Sequence, residues 1–503
     1  MRILFVTSEA FPLAKTGGLA DVSRALPAAL MRLGMDVQIL MPAYPRAIEQ
    51  VADPVLAAKL DPVFGISDGE LIAGRFPDCP LPVWLLNSPS LFDRPGGLYQ
   101  DGDGRDWPDN ALRFAFLSNV AAEIALGRTK LGWRPDIVHV NDWHTGLLPM
   151  LLAQETGRRP GTVFTTHNMA FQGNFEPDAV AALPEQIRTA PQIAFYGRVS
   201  FLKAGLVYAD RVTTVSPTYA REILTPEFGF GLEDELRKRG SDFSGILNGI
   251  DDTTWNPATD PCLPRNYWPA DVSGKRSCKY MLQHELGLAI TPDQTPLIGF
   301  VSRLTHQKMA DVVLEVLPWI VEQGGQLAVV GEGDRGIETA LLEARRRYPE
   351  QVSVTIGYNE ALAHRLQAGS DILLSPARFE PCGLTQLYAL RYGALPVVRR
   401  TGGLADTVVD ANLRTIADRS ATGFVFEEAT AEGMISALSR ALALFREPLH
   451  WRLLQLQAMS REFNWEASAA KYIALYEELM EIAPYKNVTG NVSETEKVCR
   501  AAG

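Results

Sequence analysis

Hydrophobic positions along the chain fall into two alternating periods. Arg2–Thr7 is a short β-type run. Leu19, Val22, Leu26, Ala29, Leu30 and Leu33 then recur at helical spacing, and Gly34 stands where that helix would end. Val37–Met41 is β-type again. A strand, a helix and a strand in this order form a βαβ unit, whose strands run parallel. The theme continues with a strand at Ile137–Asn141, a helix at Gly146–Ala153, and strands at Val163–Thr166 and Val212–Ser216.

A second block repeats it. Strands are predicted at Leu297–Val301, Gln326–Gly331, Val352–Tyr358, Asp371–Ser375, Leu395–Arg399 and Phe424–Phe426. Helices are predicted at Asp311–Val321, 338–347, 361–368, 384–392 and 405–411. Two blocks of strand–helix alternation predict an α/β protein with two doubly wound, Rossmann-like domains. Residues 250–275, rich in Pro, Trp, Asp and Asn without a period, read as an ordered loop just inside the second domain. The boundary is placed near 244, giving domains at 1–244 and 245–460. Over 465–482, Trp465, Ala469, Tyr472, Ile473, Tyr476 and Leu479 share one helix face. Residues 486–503 are polar and predict a frayed tail.

Composition narrows the classes. A chain of 503 residues accommodates two to four domains, and 48 basic against 59 acidic residues leave a net charge of −11. That balance argues against nucleic acid or an anionic membrane as a partner. An anionic ligand would need a locally positive site. The apolar run Ile3–Val6 is too short for a signal-peptide core, and Glu9 follows at once. No run approaches the ~18 apolar residues of a membrane span. Cys79, Cys262, Cys278, Cys382 and Cys499 are scattered, odd in number and without a C-x-x-C pair. They predict reduced thiols and a cytoplasmic protein. Without a secretory signal, the glycosylation patterns at Asn487 and Asn491 are chance matches.

Open α/β sheets bind ligands beyond the carboxyl ends of their strands. In the first block those ends carry Lys15, Gly17 and Gly18, then Asn141, Asp142 and His144, then His167 and Asn168. In the second they carry Ser302, Arg303 and Lys308, then Tyr358, then Arg378 and Glu380, with Cys382, Gly383, Leu384 and Thr385 opening a helix. Groups pointing the same way in both halves suggest a deep cleft between facing domains. Two cations, Arg303 and Lys308, with bare N–H groups at Gly383–Thr385 suit a phosphate or pyrophosphate. Spacing alone also allows the alternatives of a solvated surface pair and a turn glycine. Lys15-Thr-Gly-Gly is neither a phosphate loop nor a dinucleotide signature, and reads as a flexible turn or as backbone open to a ligand. Gly331-Glu-Gly-Asp-Arg-Gly336 matches G-x-G-x-x-G, but no acidic residue ends a following strand at the right distance, which argues against NAD. Asp101-Gly-Asp103 and the histidines flanking Asp142, His139 and His144, read as a surface loop and core residues rather than metal ligands.

Six motifs occur in order: Lys15-Thr-Gly-Gly-Leu19, His167-Asn168, Asn248-Gly-Ile-Asp251, Ser302-Arg-Leu-Thr-His-Gln-Lys308, Arg378-Phe-Glu-Pro-Cys-Gly-Leu-Thr-Gln386 and Arg400-Thr-Gly-Gly-Leu-Ala-Asp406. In this register the chain closely resembles the bacterial glycogen synthases, kin to plant starch synthases, from residue 1 to about 482. The resemblance implies a GT-B glycosyltransferase. Such an enzyme transfers glucose from ADP-glucose to the non-reducing end of an α-1,4-glucan with retention, releasing ADP, without metal or cofactor. It also implies that a helix within 461–485 crosses back to the N-terminal domain.

Roles follow the motifs. Lys15 resembles the donor-binding lysine, with Gly17 and Gly18 near the diphosphate. Arg303 and Lys308 would neutralise that diphosphate. His167 would hold the transferring glucose and Glu380 its hydroxyls, while Asp142 and Asn248 line the sugar site. Tyr358 resembles an adenine-stacking residue. Cys382, Gly383, Leu384 and Thr385 belong to the donor loop, where Leu384 and Thr385 cap the phosphate. Tyr99 is placed on the acceptor side. Many GT-B relatives carry a second glutamate eight residues after the first; here Tyr388 holds that place, as in starch and bacterial glycogen synthases. No nucleophile–acid pair of carboxylates stands out, and this favours front-face substitution over double displacement. The rivals are a UDP-glucose-dependent or sucrose-synthase-like transferase, a two-lobed small-molecule binding protein, and a non-catalytic glucan- or nucleotide-sugar-binding protein.

Overall fold

The computed structural model describes residues 1–290 and 295–482. The polar tail, Asn487, Asn491, Cys499 and the end of the returning segment lie outside the described residues. The chain divides into two units. The first comprises Met1–Val212, Lys238–Asp242 and the chain from Ala469 onward; the second comprises Thr213–Arg237 and Phe243–Ser468.

The first unit is built on strands β1 (Arg2–Val6), β2 (Asp36–Pro42), β3 (Ala52–Lys59), β4 (Glu70–Arg75), β5 (Pro82–Asn87), β6 (Ile137–Asn141) and β7 (Gly161–Thr166). A small antiparallel sheet joins β8 (Asn174–Phe175), β9 (Ala194–Phe195) and β10 (Arg198–Ser200), and β11 is Arg211–Thr214. Across the unit the order is β11-β7-β6-β1-β2-β5-β4-β3. β1, β6 and β7 are buried almost throughout, as expected of strands in a parallel sheet covered on both faces. β1 pairs in parallel with both β2 and β6. The connections therefore leave β1 in opposite directions, and its carboxyl end is the topological switch point. β3 and β4 extend the sheet antiparallel to β5. Their hydrophobic pattern predicted nothing, because β3 is a bulged edge strand carrying Pro54, with Val55 and Leu56 exposed.

The second unit includes the short β12 (Phe243–Gly245). Its parallel six-stranded sheet comprises β13 (Leu297–Val301), β14 (Gln326–Gly331), β15 (Val352–Ile356), β16 (Ile372–Ser375), β17 (Leu395–Arg399) and β18 (Phe424–Phe426). The order is β15-β14-β13-β16-β17-β18, so the switch point lies between β13 and β16. Val313, Val316 and Ile320 of the helix Ala310–Glu322 share one core with Leu327 and Val329 of β14. One helix differs from the periodicity: in place of 405–411 it spans Gly402–Thr407. It starts early because the Glu222 carboxylate accepts the Gly402 N–H at 2.9 Å. It stops at Thr407 because the chain turns extended at Val408 and bridges Asp410 to Gly423.

The last helix, Trp465–Ile482, carries the chain into the first unit. There Tyr476 OH meets His139 Nδ1 at 2.6 Å, and Leu479 lies against Gly161. Among the described residues no helix is long and apolar enough to cross a membrane.

Candidate active site

At the β1 switch point of the first unit, three carboxyl-terminal strand ends supply polar groups. Beyond β1, Glu9 is buried and its Oε2 accepts from both the backbone N–H and the hydroxyl of Thr16, the latter at 2.8 Å. Glu9 thus fixes the Lys15-Thr-Gly-Gly turn from beneath. Burial pushes its carboxyl up to about 7, against the opposing effect of the Thr16 hydrogen bonds. Lys15 pairs with Asp21 at 2.9 Å and lies over the Phe11 ring. Gly17 has an extended backbone at φ −160°, and a Cβ there would meet nothing within 4 Å. Neither conformation nor crowding within the protein requires glycine at that position.

Beyond β6, Asp142 adopts φ 55°, a left-handed conformation costly for a non-glycine residue. Its Oδ1 accepts the His167 backbone N–H at 2.7 Å. Burial pushes its carboxyl up to about 7, although the His167 and Asn168 amides pull it down. His167 Nε2 lies 3.0 Å from Asn141 Oδ1, while Asn141 Nδ2 donates to the Val6 carbonyl. That orients the asparagine, puts the imidazole proton on Nε2 and leaves Nδ1 as an acceptor. Burial pushes His167 down to about 3, so the ring is neutral at physiological pH. Tyr99 OH meets Ser8 Oγ at 2.7 Å, and its ring lies 4.4 Å from that of His144, which stacks on Trp143. Neither His144 ring nitrogen has a hydrogen-bond partner among the described residues, and burial keeps this ring neutral as well. His139 is fully buried between Tyr476 and Thr165, a core residue. Asp101 caps its own turn by accepting the amides of Asp103 and Arg105.

In the second unit the loops after β13 and β16 are stitched together. The Arg378 amide donates to the Gln307 carbonyl at 2.8 Å, and its guanidinium forks onto Asp311 at 2.8 and 2.9 Å. Gln307 Nε2 reaches the Phe379 carbonyl at 3.2 Å. This stitching brings Lys308 and Glu380 into a direct ion pair. Arg303 is exposed and has no side-chain partner among the described residues. Gly383 has φ 72°, and a Cβ there would overlap the Gln386 side chain, so the fold itself demands this glycine. Leu384 then caps the helix Thr385–Tyr392 without a side-chain hydrogen bond, which leaves the first-turn N–H groups of that helix unmet by a cap. Asn248 is buried with its Oδ1 unpartnered among the described residues. Cys382 is buried and its thiol is pushed up to about 12, so it is inert as a nucleophile. β15 ends at Ile356, two residues before Tyr358, whose ring is 63% exposed.

The Arg400-Thr-Gly-Gly-Leu-Ala-Asp406 motif supports this loop. The Gly403 N–H donates to the Glu380 and Pro381 carbonyls at 3.1 and 3.2 Å. A Cβ at Gly402 would overlap the Glu380 carbonyl, and one at Gly403 the Cys382 carbonyl. Two short helices cap one another: Glu222 accepts from Gly402, and Asp406 accepts the Thr218 N–H at 2.8 Å. Glu9, Ser216 and Glu222 are site-supporting residues that sequence reading did not single out, whereas Asn141 stands among the strand-end residues it named. Glu9 and Asn141 had a usable signal, a polar group at the end of an apolar strand. Glu222 had none.

One other cluster has metal-type donors within 4.8 Å of one another: Asp260, Cys262 and His364. Its donors already satisfy each other. Asp260 Oδ2 bonds both His364 Nδ1 and Tyr392 OH, and its Oδ1 accepts the Cys262 amide. Hydrogen bonds to Asp260 and Glu360 push His364 up to about 9 against the downward effect of burial, and a proton blocks a metal ligand.

Two doubly wound units, each with a polar cluster at its switch point and one of them cationic, define a glycosyltransferase of the GT-B class. Residues 2–238 match the starch synthase catalytic domain, and residues 289–451 match the glycosyl transferases group 1 domain. The chain is 52% identical over 478 residues to a glycogen synthase of Burkholderia thailandensis, covering 94% of this chain and 90% of that one. It is 49% identical to that of Paramagnetospirillum magneticum, covering 98% of each. It is similar to the catalytic domain of starch synthase IV from Arabidopsis thaliana, solved with ADP and acarbose. That likeness has a TM-score of 0.85 at 32% identity, covering 95% of this chain and 99% of that one. The chain belongs to the glycogen synthase family and is a glucosyltransferase.

Proposed function

We propose that the protein transfers glucose from ADP-glucose to the non-reducing end of an α-1,4-glucan, with retention and release of ADP, in the cytoplasm. The observation that carries the donor assignment is the second unit's switch point. An exposed arginine, without a side-chain partner among the described residues, stands there with a lysine, followed by a helix whose N-cap residue makes no side-chain hydrogen bond. That set suits a diphosphate. In this reading Lys308 exchanges Glu380 for the donor phosphates, and Glu380 is freed to accept glucose hydroxyls. Tyr358, exposed, stacks on the adenine in this reading, while Cys382, Gly383, Leu384 and Thr385 form the phosphate cap with Asn248 beside them.

The first unit supplies groups suited to a neutral sugar. His167 offers Nδ1 as an acceptor for a glucose hydroxyl, and Asp142 contributes an acceptor oxygen. Gly17, which the fold leaves unconstrained, lets backbone approach the donor with Gly18, and Lys15 adds charge. Tyr99 borders the acceptor. Departing ADP leaves an oxocarbenium-like glucosyl group. The acceptor hydroxyl attacks from the same face, and the leaving phosphate takes its proton. Charge stabilisation and alignment then supply the acceleration.

The test offers ADP-glucose or UDP-glucose with and without glycogen and follows nucleotide release. Glucan-dependent ADP release, with UDP-glucose much slower, is the expected outcome. Release without glucan would mean hydrolysis and would overturn the reading.

A further inference from the structure

The segment Ser216–Glu222 lies far in sequence from Glu380, and no motif includes its side chains. It nevertheless grips the Glu380 loop at both ends. Ser216 Oγ donates to the Pro381 carbonyl at 2.7 Å while accepting the Tyr219 N–H at 3.1 Å, so one hydroxyl caps a helix and holds the loop. At the other end of that helix, Glu222 Oε1 accepts the Gly402 N–H at 2.9 Å and the Thr401 hydroxyl at 3.1 Å. Gly402 and Gly403 are where the backbone presses on the loop: Gly403 N–H holds the Glu380 carbonyl, and Gly402 has φ 43°.

We infer that Glu222 is a positioning residue for Glu380, setting the place of its side chain by anchoring the Thr401–Gly403 turn that carries the Glu380 carbonyl. The physical case is a chain of directed hydrogen bonds from Glu222 through Gly402 and Gly403 to the Glu380 carbonyl. Glu222 is half-buried, and a carboxylate at a helix N-terminus is favoured by the helix dipole and satisfies an orphan N–H. Without it, the turn loses the side-chain cap seen among the described residues, since Thr401 provides none. Glu380 is 8% exposed and bonded to Lys308, so a small shift of its backbone is transmitted to that pair. Misplacement by about 1 Å at a reacting centre can cost on the order of a hundredfold in rate. The inference rests on the role given above to Glu380.

The experiment uses the full-length enzyme and glucan-dependent ADP release, with melting temperature recorded for each variant. Glu222→Ala is expected to lower kcat by about tenfold or more, with the KM for ADP-glucose changed by less than about threefold. Glu222→Gln keeps the acceptor oxygen and should recover most of the loss. Should Glu222→Ala fail to fold, Glu222→Asp, one methylene too short to reach Gly402, carries the same comparison. In a Glu380→Ala background, Glu222→Ala should lower kcat by less than about twofold further, because residues acting as one unit are not additive. A wild-type kcat in Glu222→Ala with only a lowered melting temperature overturns the inference, as does a fully additive loss in the double variant. A Glu380→Ala enzyme with wild-type turnover would overturn the role of Glu380 itself, a result separable from both.

Discussion

The two switch points share a fold and a position, yet their electrostatics are opposite. In the first unit burial strips charge. Asp142 and Glu9 are pushed up to about 7, and His167 is pushed down to about 3. In the second unit Lys308 and Glu380 face each other as an ion pair, and Arg303 stands in solvent. Apart from the Lys15–Asp21 pair, the first cluster holds groups whose charge burial disfavours, whereas the second presents full charges. A neutral sugar needs directional acceptors, whereas a diphosphate needs cations. A desolvated neutral group costs less to bury than a charge, and burial therefore shifts these groups toward their neutral forms. The same doubly wound frame serves either purpose, because the strand ends fix positions and the local burial fixes charge.

Substitution can break this contrast. The largest effect is expected at the cationic end: Lys308→Ala should raise the barrier to turnover by about 2–4 kcal/mol, as for loss of one preorganised electrostatic group. Arg303→Ala should fall in the same range. Wild-type kcat in both would remove the electrostatic assignment of the second unit.

The next effect concerns pH. Glu9 has a folded-state value raised from 4.5 to about 7, so the fold binds its proton more tightly than the unfolded chain does. A raised value favours folding below the unfolded value, and that advantage is lost as pH rises through about 7. The difference corresponds to about 3 kcal/mol between acid and pH 8. Glu9→Gln should flatten this slope, read as a smaller drop in urea midpoint between pH 5 and pH 8. An unchanged slope would show that burial does not neutralise Glu9.

A smaller effect tests the returning helix. Tyr476→Phe removes the hydroxyl facing His139 and should cost about 1 kcal/mol of stability with kcat unchanged, measured by denaturation and turnover. The smallest effect sharpens the comparison directly. Raising ionic strength screens exposed charges and should weaken ADP-glucose binding a few-fold, while leaving the KM for glucan nearly constant. Equal salt dependence of both would erase the distinction between the two ends.

Much of this was legible in the chain. β6, β13, β14, β17 and β18 match the predicted bounds residue for residue, because strands buried on both faces are dominated by apolar residues, with few polar positions to blur them. Lys15, Asp142, His167, Lys308 and Glu380 were identifiable as strand-end residues, since the parallel topology dictates where such groups collect. The exposed edge β3 was not, because bulges and Pro54 erase its period. Nor was the helix Gly402–Thr407, whose start depends on a carboxylate 180 residues away in the chain.

The sequence by itself determined two wound α/β halves, the family, and which residues stand at the ligand-facing strand ends. It could do so because periodicity and motif order are local properties, written in residue types and their spacing. Only the tertiary structure decided which of those residues are charged, which glycines the fold demands, and what holds Glu380 in place. Gly383 is required by its backbone and Gly17 is not, although both appear in the chain simply as glycine. Burial, φ and hydrogen bonds between distant segments are properties of neighbours in space, and a linear pattern does not contain them.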